Sequence, residues 1–116
     1  MILNKSNKIN INADIGESFG HWIKGDDDKI IKIINSANIA CGAHAGDSNI
    51  MKNTIDKCII NNVSIGAHPS FFDILGFGRR KLNLSSKEIE NLVAYQVGAL
   101  IGISQLSNAR VTHIKP

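Results

Sequence analysis

The sequence predicts an α/β protein: a parallel (β/α) barrel, represented by an N-terminal part with about four strands in 116 residues. Three observations lead there. Extended segments alternate with helical ones, which implies parallel strands joined by right-handed crossovers. Sorting the extended segments by their alternating side chains gives one apolar face, of Ile9, Ile11, Ile39, Cys41, Val63, Ile65, Ala67, Thr112 and Ile114. The other face collects Asn10, Asn12, Asp14, Asn38, Gly42, His44, Ser64, Gly66, His68, His113 and Lys115. A doubly wound sheet, covered on both sides, is apolar on both. A sheet apolar on one face suits a barrel with helices outside and a polar lumen. Finally, histidines and carboxylates stand at the carboxyl ends of the strands, where such barrels place their sites.

Each element has its own signal. "KININAD", residues 8–14, alternates isoleucine with asparagine as a first strand. A short helix is expected over residues 27–35, with Ile30, Ile31, Ile33 and Ile34 as its apolar side and the aspartates at 26–28 suiting its N-terminus. "SANIACG" reads as the second strand. Asp47 or Ser48 then caps a helix whose apolar positions Met51, Ile55, Cys58 and Ile59 keep helical spacing. Asn61 and Asn62 end it, and "VSIGAH" forms the third strand. After a long loop, "SSKE" at 85–88 is a capping box, with Ser85 as cap and Glu88 reaching back. The helix it opens carries Ile89, Leu92, Val93, Gln96, Val97 and Leu100 on one side, and "ARVTHIKP" is the last strand.

Bulk properties exclude several classes. A net charge of +3, from 13 basic and 10 acidic residues scattered along the chain, makes no case for nucleic acid or a membrane surface. "MILNKSNKIN" lacks the apolar core of a signal peptide, and residues 92–106 are too short and too polar to span a bilayer. Cys41 and Cys58 form no CxxC pair, so free thiols in a reducing cytoplasm are expected. One domain over residues 1–116 fits this length.

The polar face carries the chemistry. Asp14, His44 and His68 converge on one mouth, with Glu17 near the first strand and His113 and Lys115 on the fourth. Such a set binds a divalent metal, with Asp14, His44 and His68 as its ligands, or performs acid–base work. No HxH or HExxH spacing decides between them. Cys41 shares its face with Ile39, toward the helices, where a thiol acts as a small hydrophobe. "GFGRR", residues 76–80, is a glycine-rich turn whose Arg79 and Arg80 match a carboxylate or phosphate. No GxxxxGK[ST] stretch occurs, so the chain carries no Walker-type nucleotide site.

Taken together, "NADIGESFG", "SANIACGAHAGD", "IGAHPSF", "GFGRR", "YQVGAL" and "HIKP" resemble the LamB/YcsF family over nearly the whole chain and in order. The resemblance implies a (β/α) barrel of the glycoside hydrolase/deacetylase type. It also implies ATP-driven opening of the 5-oxoproline lactam to L-glutamate, together with 5-oxoprolinase subunits B and C. Carried over motif by motif, it suggests Asp14, Glu17, His44, His68 and Lys115 as catalytic residues. Asn12, Asp47, Arg79, Arg80 and His113 are then expected to contact substrate. Two other readings compete, a metal-dependent sugar N-deacetylase and a non-catalytic remnant that binds partners. Family members are about twice as long, and four strands do not close a barrel of ~200 or more residues. The isolated chain is therefore expected to be catalytically silent and to self-associate through open strand edges.

Overall fold

The computed structural model describes residues 8–116; residues 1–7, part of the segment read above for a leader, lie outside the described residues. Four strands, β1 (Asn12–Ile15), β2 (Ser36–Ala40), β3 (Ser64–His68) and β4 (Val111–Ile114), form one sheet in the order β1-β2-β3-β4. Every neighbouring pair is parallel. Three helices, α1 (Asp27–Ile30), α2 (Ser48–Ile60) and α3 (Ser86–Gln105), fill the crossovers. This is the parallel βα arrangement expected of part of a barrel. Among the described residues, no helix is long and apolar enough to cross a membrane.

The core lies on the helix side of the sheet. Ile15, Ile39 and Ile65 from the strands meet Ile55 and Cys58 of α2 and Leu100 of α3. Each large aliphatic side chain buried this way stabilises by roughly 1.5–3 kcal/mol. Cys41 and Cys58 are buried free thiols in this layer. Burial pushes the Cys41 thiol up to about 11 and, more strongly, the Cys58 thiol up to about 12.

Several elements are shorter than their sequence patterns. The first strand begins at Asn12 rather than residue 8, and Ile9 and Ile11 are exposed rather than packed on helices. Ile11 holds the sheet only by its backbone, its carbonyl accepting from the amides of Asn35 and Ser36. Helix α1 is a single turn, capped at its start by Asp26. Asp27 accepts from the Gly16 amide, and Asp28 pairs with Lys57 at 2.6 Å. Of the four isoleucines in the predicted helix, Ile31 and Ile34 enter the core, whereas Ile30 and Ile33 face out. Residues 31–33 form a turn rather than helix, so helical spacing does not decide which of these side chains is buried.

The last strand departs in register. A bulge lies opposite Ile65 and Gly66, so Val111 pairs with Ile65 and His113 with Gly66. Thr112, assigned to the apolar face by strict alternation, is exposed, and Val111 packs against the core instead. Ile114 keeps its apolar-face register opposite Ala67 but is also exposed. Elsewhere local chemistry matches expectation. Asp47 caps α2, and Ser85 and Glu88 complete both halves of a capping box on α3.

Candidate functional site

Register alone builds the polar face. Asn12 lies beside Ser36, Asp14 beside Asn38, Asn38 beside Gly66, and Gly66 beside His113. Their side chains join in one hydrogen-bonded ladder. Asn12 donates to the Ser36 hydroxyl at 2.8 Å and to Asn38 at 3.1 Å, and Asn38 donates to Asp14 at 3.0 Å. Asn38 is fully buried, so this satisfaction is required rather than incidental. His113 reaches across β3 to Asn38, Nε2 to Oδ1 at 3.0 Å. Only a residue without Cβ permits this crossing, since a Cβ at Gly66 would sit 2.1 Å from His113 Nε2. Asn12 and His113, expected to contact substrate, are thus joined through Asn38 as parts of the lumen framework.

At the carboxyl ends the ladder opens into a cavity of about 250 Å³ lined by Asp14, His44, His68, Ser70, Phe77, Arg79, Lys115 and Pro116. Lys115 Nζ donates to both Asp14 oxygens, at 2.8 and 3.1 Å. Burial raises the Asp14 carboxyl, but the hydrogen bonds from Lys115 and Asn38 and the nearby His68 and Lys115 charges outweigh it, holding it below the ordinary carboxylate value. His68, at the end of β3, has Nδ1 2.8 Å from the Lys115 carbonyl oxygen. A carbonyl only accepts, so Nδ1 carries the proton and Nε2 keeps its lone pair. That Nε2 stands 3.5 Å from Asp14 Oδ2. Burial lowers the imidazole's proton affinity, against the pull of the Lys115 carbonyl and Asp14, so His68 is neutral near pH 7.

His44 does not end strand β2, which stops at Ala40; it lies in the loop behind it, where the Gly42 amide donates to the Ala45 carbonyl. Its ring is edge-on to His68 (centroids 4.7 Å apart) and to Phe77 (5.1 Å). It is 2% exposed, and neither ring nitrogen has a hydrogen-bond partner. Glu17 Oε2 stands 3.6 Å from His44 Nε2. Glu17, His44 and His68 each offer a donor atom within 4.8 Å of the others. Asp14, read from sequence with the two histidines, is held by Lys115 beside them.

The "GFGRR" turn splits its two arginines. Arg79 lines the cavity. Arg80 is committed to Asp73, its Nε 3.0 Å from both carboxylate oxygens with Nη2 closer still, and it holds the Asp73 carboxyl down to about 2. Asp73 also accepts from the Gly76 amide, while its backbone joins Ala43 and Gly78, so this pair ties the turn to the loop carrying His44. Asp47, another expected contact, is spent on backbone amides. Those of Ile50, Gly20 and Asn49 lower its carboxyl, in that order of effect, fixing the start of α2 and the loop at Gly20. Trp22 lies outside the cavity, stacked on Phe19 and lining an apolar groove behind His44.

Phe77 and Ser70 carry no role in the sequence reading, and Asn38 and Gln96 appear there only as members of a strand face and a helix side. Phe77 adopts a left-handed φ of 56° and turns its ring onto His44, with Lys24 Nζ 3.2 Å from the ring centroid. Gln96, read as part of an apolar helix face, is fully buried and bonds both the amide and the carbonyl of Ser70, at 2.9 and 2.7 Å. A glutamine amid apolar helical positions was the available signal for that clamp.

A parallel βα sheet, polar on its inner face and gathering ionisable side chains at its carboxyl ends, defines a protein of the (β/α)-barrel class. Residues 9–116 match the LamB/YcsF family, and the chain belongs to that family. It is 50% identical over 109 residues to the 5-oxoprolinase A subunit of Azoarcus sp. (strain BH72), covering 94% of this chain and 43% of that protein. The namesake of Staphylococcus haemolyticus (strain JCSC1435) is 51% identical, with 94% and 44% covered. The crystal structure of the lactam utilization protein from Thermus thermophilus superposes with a TM-score of 0.92 at 39% identity, over 94% of this chain and 44% of that one. The chain thus spans less than half the length of these relatives. The letter in the names of the two 5-oxoprolinase relatives marks each as one component of an assembly with several subunits.

Proposed function

We propose that this chain contributes the amide-opening site of an ATP-dependent 5-oxoprolinase, acting with subunits B and C to convert 5-oxoproline to L-glutamate. The observation that carries the reading is the joint placement of Asp14, His68, Lys115 and Arg79 around one small polar cavity, in a chain half identical to proteins named as the A subunit of 5-oxoprolinase. 5-Oxoproline is a small cyclic amide bearing one carboxylate. Arg79 supplies a planar cationic fork for that carboxylate. Neutral His68, its Nδ1–H anchored, offers Nε2 as the base that takes a proton from water. Lys115 sits where an oxygen gaining negative charge is stabilised, and Asp14 holds the ammonium in place. ATP supplies the driving force, and its handling falls at least partly to the partner subunits, because this sequence carries no Walker motif.

The test is a chimera in which residues 9–116 replace the matching segment of the Azoarcus relative, assayed with ATP and subunits B and C. ATP-dependent glutamate release is expected. Asp14→Asn abolishes it and Arg79→Lys raises KM for 5-oxoproline. Acetate release from an N-acetylated sugar, without glutamate, overturns the reading in favour of a deacetylase.

A further inference from the structure

We propose that Glu17, His44 and His68 form a binding site for a divalent transition-metal cation, with zinc the best match, open on one side to the cavity. The proposal concerns the same cleft as the function above but rests on its own geometry. The donor atoms of the three side chains lie within 4.8 Å of one another, and two of the residues are buried. Zinc bonds of ~2.0–2.2 Å in a tetrahedral site put ligand atoms roughly 3.3–3.6 Å apart. The Glu17–His44 separation of 3.6 Å already meets that spacing.

The independent observation is His44. A buried polar atom left without a partner costs about 1–3 kcal/mol. His44 leaves two such atoms, in a ring at 2% exposure, and faces a carboxylate too far away to accept a normal hydrogen bond. A cation between them gives the imidazole a partner and neutralises Glu17. His68 is prepared in the way metal-bound histidines usually are. Its Nδ1–H is held by the Lys115 carbonyl at 2.8 Å, which fixes the tautomer and aims the Nε2 lone pair into the cluster. Two imidazoles and one carboxylate suit a borderline first-row dication rather than magnesium or calcium. Three protein ligands with the remaining position facing a polar cavity is the pattern of a reactive centre, not a structural one. A cation there would take the single Nε2 lone pair of His68, so in the loaded site the cation, rather than His68 acting as a base, would activate the water.

The test is calorimetric titration of zinc into the chelator-treated 116-residue chain, with cobalt(II) absorption as a second probe. One equivalent is expected to bind, with a tetrahedral cobalt spectrum lacking a thiolate charge-transfer band. His44→Gln and Glu17→Gln should each weaken binding on the order of 100-fold while preserving the circular dichroism spectrum; the outer-shell benchmark is roughly 10–100-fold. His21→Gln, which alters an exposed histidine outside the cluster, should bind as the parent does. Zinc binding that survives His44→Gln, or disappears with His21→Gln, overturns the site. So does the absence of stoichiometric binding, even where the chimera releases glutamate. Tight zinc binding in a chimera that releases none supports the site and overturns the lactam function instead.

Discussion

Replacing Gly78 by alanine tests how the "GFGRR" turn is held against His44. Gly78 has φ +71°, and an added Cβ would stand 2.1 Å from Ser70 Oγ and 2.8 Å from His44 Cβ. The serine hydroxyl can rotate away, since its bond to the Gly78 carbonyl is long at 3.4 Å. His44 Cβ cannot, because it is fixed to a buried backbone. The left-handed backbone costs an alanine ~1–2 kcal/mol. Forcing a methyl into the packed contact costs ~1–3 kcal/mol more. The variant should therefore lose about 2–5 kcal/mol, a large part of the ~5–15 kcal/mol typical of a domain. Gly98 is the internal control. It lies in α3 with nothing within 4 Å of a built Cβ, so Gly98→Ala should gain ~0.5–1 kcal/mol from helix propensity. Urea unfolding followed by far-UV circular dichroism measures both. A Gly78→Ala midpoint equal to the parent's, or the same sign for both substitutions, refutes the packing argument.

The Asp73–Arg80 pair predicts a specific acid response. Arg80 depresses Asp73 from 3.8 to about 2, so its stabilisation is complete above about pH 4 and is lost as pH falls toward 2. Arg80→Ala should therefore cost stability at pH 6 but little at pH 2, and a pH-independent loss in urea titrations would count against the pair. Cys41→Ala in the chimera should lower thermal stability while leaving glutamate release intact. Native Cys41 should also resist thiol reagents at pH 8, its thiol being pushed up to about 11; rapid labelling of the folded chain would contradict this. Finally, β1 and β4 are the edges of the sheet among the described residues, so the isolated chain should sediment as oligomers, and a monodisperse monomer would remove that expectation.

The sheet was legible because two-residue alternation is a strong signal wherever one face is buried. Asn12, Asp14, Asn38, Gly66 and His68 fall on the polar face because register fixes them together. The pattern overran at the ends, where no neighbour enforces it. Ile9 and Ile11 alternate as a strand should, yet precede the sheet. Thr112 kept the right parity until a bulge shifted it, and a bulge leaves no trace in alternation. Helix caps were readable at Asp47 and Ser85 because they depend on a few adjacent residues.

The cleft was legible as a set of residue types, but the division of labour within it was not. Sequence places Arg79 and Arg80 side by side with equal claims on an anion. What separates them is Asp73, six and seven residues upstream, and nothing local says that the loop folds back far enough for its carboxylate to take Arg80. Asp47 shows the same ambiguity, since a carboxylate at a helix start is read equally as cap or ligand; here the Asn49 and Ile50 amides make it the cap of α2, while its other oxygen takes the Gly20 amide. Phe77 went unread because its role comes from a left-handed backbone that no aromatic residue announces. That backbone turns its ring onto His44, and the ring helps to keep water from the imidazole. Phe77→Ala should therefore open the Glu17–His44 side of the cleft to solvent and let water partner the free nitrogens. If Phe77 instead only covers the turn, hydrogen exchange around His44 will match the parent's. If it shields the histidine, protection will fall there first, while the Asn38 ladder beneath stays unchanged.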